Sequence, residues 1–194
     1  MKTKEKQKRN RRIHRENISA EKLIRSAHKK HKTPFLLIRK SALTKQYDLF
    51  QKHLPNVGIY YAIKANPHPD VIKHFIDLGA SFDVASANEM QQVLNLGASP
   101  ERIIFANPVK SAEDIQLAKK RGVNFMVFDN ESEIYKIAKY CPKASVLLRI
   151  KVGNIGSVVE LSLKFGAEPE QALFLLRKAK QLGLNPLGVS FHVG

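Results

Sequence analysis

A short apolar run recurs about every 21 residues through the middle of this chain, and a segment with helical spacing follows each run. The runs are residues 59–65 (IYYAIKA), 81–85 (SFDVA), 102–107 (RIIFAN), 124–129 (NFMVFD) and 144–150 (ASVLLRI), and 187–193 (LGVSFHV) comes later. That period is the length of one strand–helix unit. Alternation of strands and helices dictates a parallel sheet with right-handed crossovers, and so an α/β fold. A further strand is expected at 33–40 (TPFLLIRK), with a proline at its start, followed by a helix over 41–53 with Leu43, Tyr47 and Phe50 on one stripe.

The helices carry their own punctuation. Val71, Ile72, Phe75 and Ile76 form one stripe over 70–78 and Gly79 stops it. Ser86 and Glu89 have capping-box spacing ahead of Met90, Val93 and Leu94. Ser111 with Asp114 opens the next helix. Either Asp129 or Asn130 caps 132–140, and Pro169 precedes a helix that ends at Gly183. The segment 151–168, rich in glycine, breaks the period; a loop this long after a strand favours function over a surface insertion.

Hydrophobic residues make up 43% of the 194, which excludes wholesale disorder. The single cysteine, Cys141, cannot form a disulfide within the chain. No apolar run approaches the roughly 20 residues of a membrane-spanning helix, and no apolar segment of a secretory signal follows the charged start. A cytoplasmic setting without membrane contact is therefore expected. The charge is uneven: thirteen of the 33 Lys and Arg fall in residues 1–32 against three acids, so this stretch carries +10 of the formal +16. It is read as a solvated basic extension with a short amphipathic helix over 18–30. It lacks interleaved aromatics, and a nucleic-acid partner is not expected.

Polar or ionisable residues stand at the C-terminal ends of the runs: Lys64 and Asn66, Asp83, Asn107, Asp129, Arg149, and Ser190 with His192. Ligands of parallel α/β folds bind at that end of the strands. Each residue has a plainer alternative. Lys64 could reach to solvent, Asp83 and Asp129 could cap helices, Arg149 could serve an ion pair and His192 could be satisfied in the core. As a group of unlike charges they favour a site. No phosphate-binding glycine loop and no metal-ligand spacing accompanies them, so spacing suggests an enzyme without naming the reaction.

Seven segments at these strand ends resemble one family in order and spacing: YYAIKANPHPDVIK (60–73), GASFDVASANEM (79–90), SPERIIFANPVK (99–110), FDNESE (128–133), LLRI (147–150), LSLKFGA (161–167) and GVSFHVG (188–194). They are similar to the pyridoxal-phosphate-dependent ornithine/diaminopimelate/arginine decarboxylases on an alanine-racemase-type barrel, and nearer to the ornithine enzymes of polyamine biosynthesis. The resemblance implies that Lys64 bonds the cofactor covalently, that His192 stacks on its ring, and that Asp83 and Arg149 help to bind it. It also implies supporting places for Glu89, whose plainer alternative is to serve the capping box alone, and for Lys164, near a dimer contact. Lys64 is expected to be desolvated, with the lowered pKa an amine nucleophile needs. Asn107 and Lys110 match the family without an assigned role.

The implied fold is an incomplete (β/α)8 TIM-type barrel: residues 1–32 as the basic extension, and 33–194 as the N-terminal part of a pyridoxal-phosphate-binding barrel domain with about six parallel strands. The family's C-terminal β domain and its last two strand–helix units are not present. The chain is therefore expected to be a fragment, inactive alone, with the family homodimer compromised. Its substrate would be a small basic amino acid. The alternatives are a non-catalytic partner subunit, or a diaminopimelate, lysine or arginine decarboxylase.

Overall fold

A computed structural model describes residues 20–153 and 164–193. It divides into two compact units, residues 1–57 and 58–194. In the first, α1 (Ala20–His28) has no buried residue and carries an exposed Glu21–Arg25 ion pair at 2.7 Å. Helix α2 (Lys40–His53) buries Tyr47. The strand expected at 33–40 does not form: residues 34–39 are irregular and no described strand pairs with them. An apolar run becomes a strand only when a neighbour takes its backbone N–H and C=O groups. Without one, Leu36 is 83% exposed.

The second unit is a parallel sheet in sequence order: β1 (Tyr60–Ala62), β2 (Ser81–Val84), β3 (Ile103–Phe105), β4 (Phe125–Phe128), β5 (Ser145–Arg149) and β6 (Asn185–Ser190). The crossovers are α3 (Pro69–Leu78), α4 (Ala87–Asn95), α5 (Ala112–Lys120), α6 (Glu131–Tyr140) and α7 (Ala172–Gln181). The six strands of the sequence expectation are present, each close to its expected place. The last begins two residues early, because Asn185 already pairs with Ser145. A bulge between Val146 and Leu147 then shifts the β5–β6 register, so that Gly188 and not Leu187 faces Leu147. Gly188 has φ +153°, which a residue with a Cβ rarely adopts.

Strand residues alternate between two faces. One face packs on the helices: Phe82, Val84, Ile103, Phe105, Met126, Phe128, Val146 and Leu148 are each no more than 1% exposed. They meet helical residues such as Ile72, Met90, Ile115, Ile134 and Ile137, all fully buried. Each such side chain contributes about 1.5–3 kcal/mol as an upper value. Asp83 and Arg149 belong to the other face, which is only half-buried along β2 and β5.

The caps follow the sequence closely. Ser86 Oγ accepts from the Glu89 N–H and Ser111 Oγ from the Asp114 N–H. Asn130, not Asp129, caps α6, its Oδ1 accepting from the Glu133 N–H at 3.0 Å. No described helix is long and apolar enough to cross a membrane.

Candidate active site

Lys64 lies in a single 3₁₀ turn, Ile63–Ala65, directly after β1. Asn66 precedes Pro67, which holds it extended (φ −161°, ψ 105°) and stops the turn. Three hydrogen bonds fix the segment beyond it. The Tyr61 hydroxyl donates to the Asn66 carbonyl at 3.2 Å, the His68 N–H to Asn66 Oδ1 at 3.0 Å, and Gln92 Nε2 to the Pro67 carbonyl at 2.7 Å. Tyr61 also stacks on Phe75, ring centres 4.2 Å apart.

Register then brings the strand ends together. Ala62 pairs with Asp83, and Lys64 is two residues beyond Ala62. Arg149 pairs with Ser190, and His192 is two residues beyond Ser190. Asp83 registers all of them electrostatically. Burial pushes its carboxyl above the ordinary range, Lys64 pulls it down, Glu89 pushes it up, and His192 and Arg149 pull it down. Four of the other five residues expected at the site therefore act on Asp83. Glu89 has a local structural task as well: its Oε2 accepts from the Ala85 N–H at 2.7 Å. This closes the capping box one residue earlier than the usual N-cap amide.

One expectation needs correction. Lys64 is exposed, so burial does not desolvate it. It sits past the end of the ladder in a one-turn segment, where nothing described covers it. Lys164 is exposed as well. Its Nζ lies 5.1 Å from the Phe165 ring centre, while the Arg149 guanidinium lies over the same ring at 5.5 Å. The intervening residues 154–163 of the expected functional loop lie outside the described residues.

The sequence assigns Lys110 no role and does not show its partner. Lys110 and Glu133 are 3% and 1% exposed and form an ion pair at 2.9 Å. Lys110 Nζ also donates to the carbonyls of Val127 (2.6 Å) and Asn107 (2.9 Å), and Lys136 pairs with the other carboxylate oxygen at 2.7 Å. A lysine after an apolar run hints at such a device, but nothing in the sequence pairs positions 110 and 133. Cys141 is buried and burial pushes its thiol up, which makes it an inert thiol.

The raised Asp83 carboxyl has a consequence for stability. The native state holds that proton more tightly than the unfolded chain, whose value is about 3.9. Its contribution is fully present below that pH and is lost as pH rises through the raised native value. Asp83→Asn is expected to stabilise the fold at pH 7 by about 0.5–1 kcal/mol and to change it little at pH 3. Urea unfolding at the two pH values checks this, and a loss of stability at pH 7 contradicts it.

An amine, a carboxyl, a guanidinium and an imidazole stand at or just beyond the C-terminal ends of a partial (β/α)8-type sheet, the end at which ligands of such folds bind. Residues 40–194 match the family of the pyridoxal-dependent decarboxylase, pyridoxal binding domain, and the chain belongs to that family. It is 43% identical over 175 residues to lysine/ornithine decarboxylase of Selenomonas ruminantium, covering 90% of this chain and 44% of that protein. It is 46% identical over 141 residues to ornithine decarboxylase of Schizosaccharomyces pombe, covering 73% of this chain and 33% of that one. The crystal structure of lysine decarboxylase from Selenomonas ruminantium superposes with a TM-score of 0.83 at 42% identity, over 92% of this chain and 46% of that one. The chain thus spans less than half the length of these relatives, and the resemblance read from its seven motifs holds.

Proposed function

We propose that this chain supplies the pyridoxal-phosphate-binding part of a decarboxylase acting on a small basic amino acid, ornithine first and lysine next. The observation that carries the proposal is the register that sets Lys64 just beyond the Ala62–Asp83 pair and His192 just beyond the Arg149–Ser190 pair, at the C-terminal ends of the strands. The relatives are named for ornithine and lysine, which supports that order of substrates.

The donor set fits pyridoxal phosphate in kind. Lys64 offers a primary amine to an aldehyde, and its exposure leaves that amine open to the cofactor and then to a competing substrate amine. Arg149 offers a fixed cation and His192 a flat ring for an aromatic ligand. The cofactor, when bound, supplies the electron sink for breaking the bond to the α-carboxylate. Asp83 keeps an acceptor beside the Lys64 amine, able to hold its proton while the neutral amine reacts. Glu89 is held by the Ala85 amide and keeps a second negative charge close, which sustains the raised Asp83 carboxyl. Arg149 is braced by the Phe165 ring and presents its charge from a fixed direction.

The test is to incubate the chain with pyridoxal phosphate, reduce with borohydride and map the label by mass spectrometry. Label on the peptide containing Lys64 is expected. Label spread over surface lysines, or absent, overturns the proposal.

A further inference from the structure

Asp129 ends the fourth apolar run, and a helix cap would account for it. The structure gives the cap to Asn130 and leaves the Asp129 carboxylate for another purpose. Its Oδ1 accepts from Asn130 Nδ2 at 2.8 Å and its Oδ2 from the Gly166 N–H at 2.9 Å, across 37 residues of sequence. Gly166 sits directly against the residues that follow β5. A Cβ there would lie 2.8 Å from the Lys151 nitrogen and 2.9 Å from the Ile150 carbonyl carbon, and its φ is +107°. Only glycine allows this approach. Backbone bonds continue the seam: the Ala167 N–H donates to the Arg149 carbonyl and the Lys151 N–H to the Ala167 carbonyl, each at 2.9 Å. The residue before Gly166 is Phe165, whose ring lies under the Arg149 guanidinium. Asp129 supplies one side-chain anchor of this seam, and the Lys151–Glu168 ion pair supplies another.

We infer that Asp129 is a positioning residue: by holding the Gly166 amide it seats the Phe165 ring against Arg149 and so sets the direction of that cation at the strand ends. The inference rests on the proposed function only for its consequence, cofactor affinity. The placement itself is independent of any ligand. A cation over an aromatic face gains about 0.5–2 kcal/mol when partly desolvated, enough to select one rotamer of a long side chain. The charge-assisted bond from Gly166 is of the stronger kind and fixes the ring beneath it.

The test uses the 194-residue chain and its Asp129→Ala, Asp129→Asn and Phe165→Leu variants. Without cofactor, hydrogen exchange of the Gly166 amide and the ring-current shift of the Arg149 side chain are read by NMR. In Asp129→Ala the amide is expected to exchange at least about tenfold faster and the Arg149 shift to move toward its free value. Asp129→Asn keeps an oxygen for the amide and restores both. Phe165→Leu removes the ring-current shift while leaving the amide protected, which keeps the inference testable if the alanine variant folds poorly. An Arg149 shift unchanged in Asp129→Ala overturns it. With pyridoxal phosphate added, Asp129→Ala is expected to bind about tenfold more weakly than the parent, at a melting temperature within about 2 °C of it. Parent-like affinity in a variant whose Gly166 amide has been freed also overturns the inference. If the parent binds no pyridoxal phosphate, the proposed function fails, and the ligand-free shifts still decide the role of Asp129.

Discussion

Lys64→Ala is expected to abolish the visible absorbance band that forms when the chain is titrated with pyridoxal phosphate. The effect is all-or-none because the amine is the only part of the side chain that can bond an aldehyde, and an arginine cannot stand in for it. Lys64→Arg is therefore expected to fail as completely, although it keeps the charge beside Asp83. Since Lys64 is exposed and beyond the strand ladder, neither substitution removes buried packing. Both variants are expected to melt within about 2 °C of the parent, as surface substitutions do. A band of parent intensity in either variant removes Lys64 from the site.

Glu133→Gln is expected to destabilise the fold by about 3 kcal/mol, a large share of the roughly 5–15 kcal/mol that holds a domain together. Its side chain and that of Lys110 are 2% and 0% exposed, so the neutral amide leaves a buried ammonium without its anion. The pair also substitutes for missing ladder. Strands β3 and β4 share a single register pair, Phe105 with Met126. Lys110 Nζ ties the two at their C-terminal ends through the carbonyls of Asn107 and Val127. Burial already pushes the Lys110 ammonium down and Glu133 holds it up. Removing Glu133 lowers it further, so the native state releases that proton before the unfolded chain does. The stability of Glu133→Gln is then expected to rise with pH toward about 10.4, the ordinary lysine value. The double variant Lys110→Met, Glu133→Leu is expected to recover part of the loss: it buries no unpaired charge, but it leaves the Asn107 and Val127 carbonyls without their donor. Urea unfolding across pH checks all three statements, and a loss under about 1 kcal/mol for Glu133→Gln contradicts the first.

These cases mark how far the sequence could be read. The period of the apolar runs and the serine caps at 86 and 111 are local: each depends on residues a few positions apart, and each reappeared in the structure. The candidate site was legible in two ways. Its residues stand where parallel strands end, and the segments around them resemble one family. Neither route shows exposure, which is why Lys64 was expected to be desolvated and is not.

What the sequence determined by itself, then, is the set of elements, their parallel order and the family, because periodicity, caps and motifs are written in short windows of chain. The tertiary structure alone decided which of these windows found partners. Residues 34–39 had strand chemistry and met no ladder, while the last strand started early because Ser145 was there to receive Asn185. Lys110 met Glu133 across 23 residues and Asp129 met Gly166 across 37. Such pairings follow from the sheet bringing distant strand ends within hydrogen-bonding distance. Burial then makes an unmet charge or amide costly enough that only the paired arrangement persists.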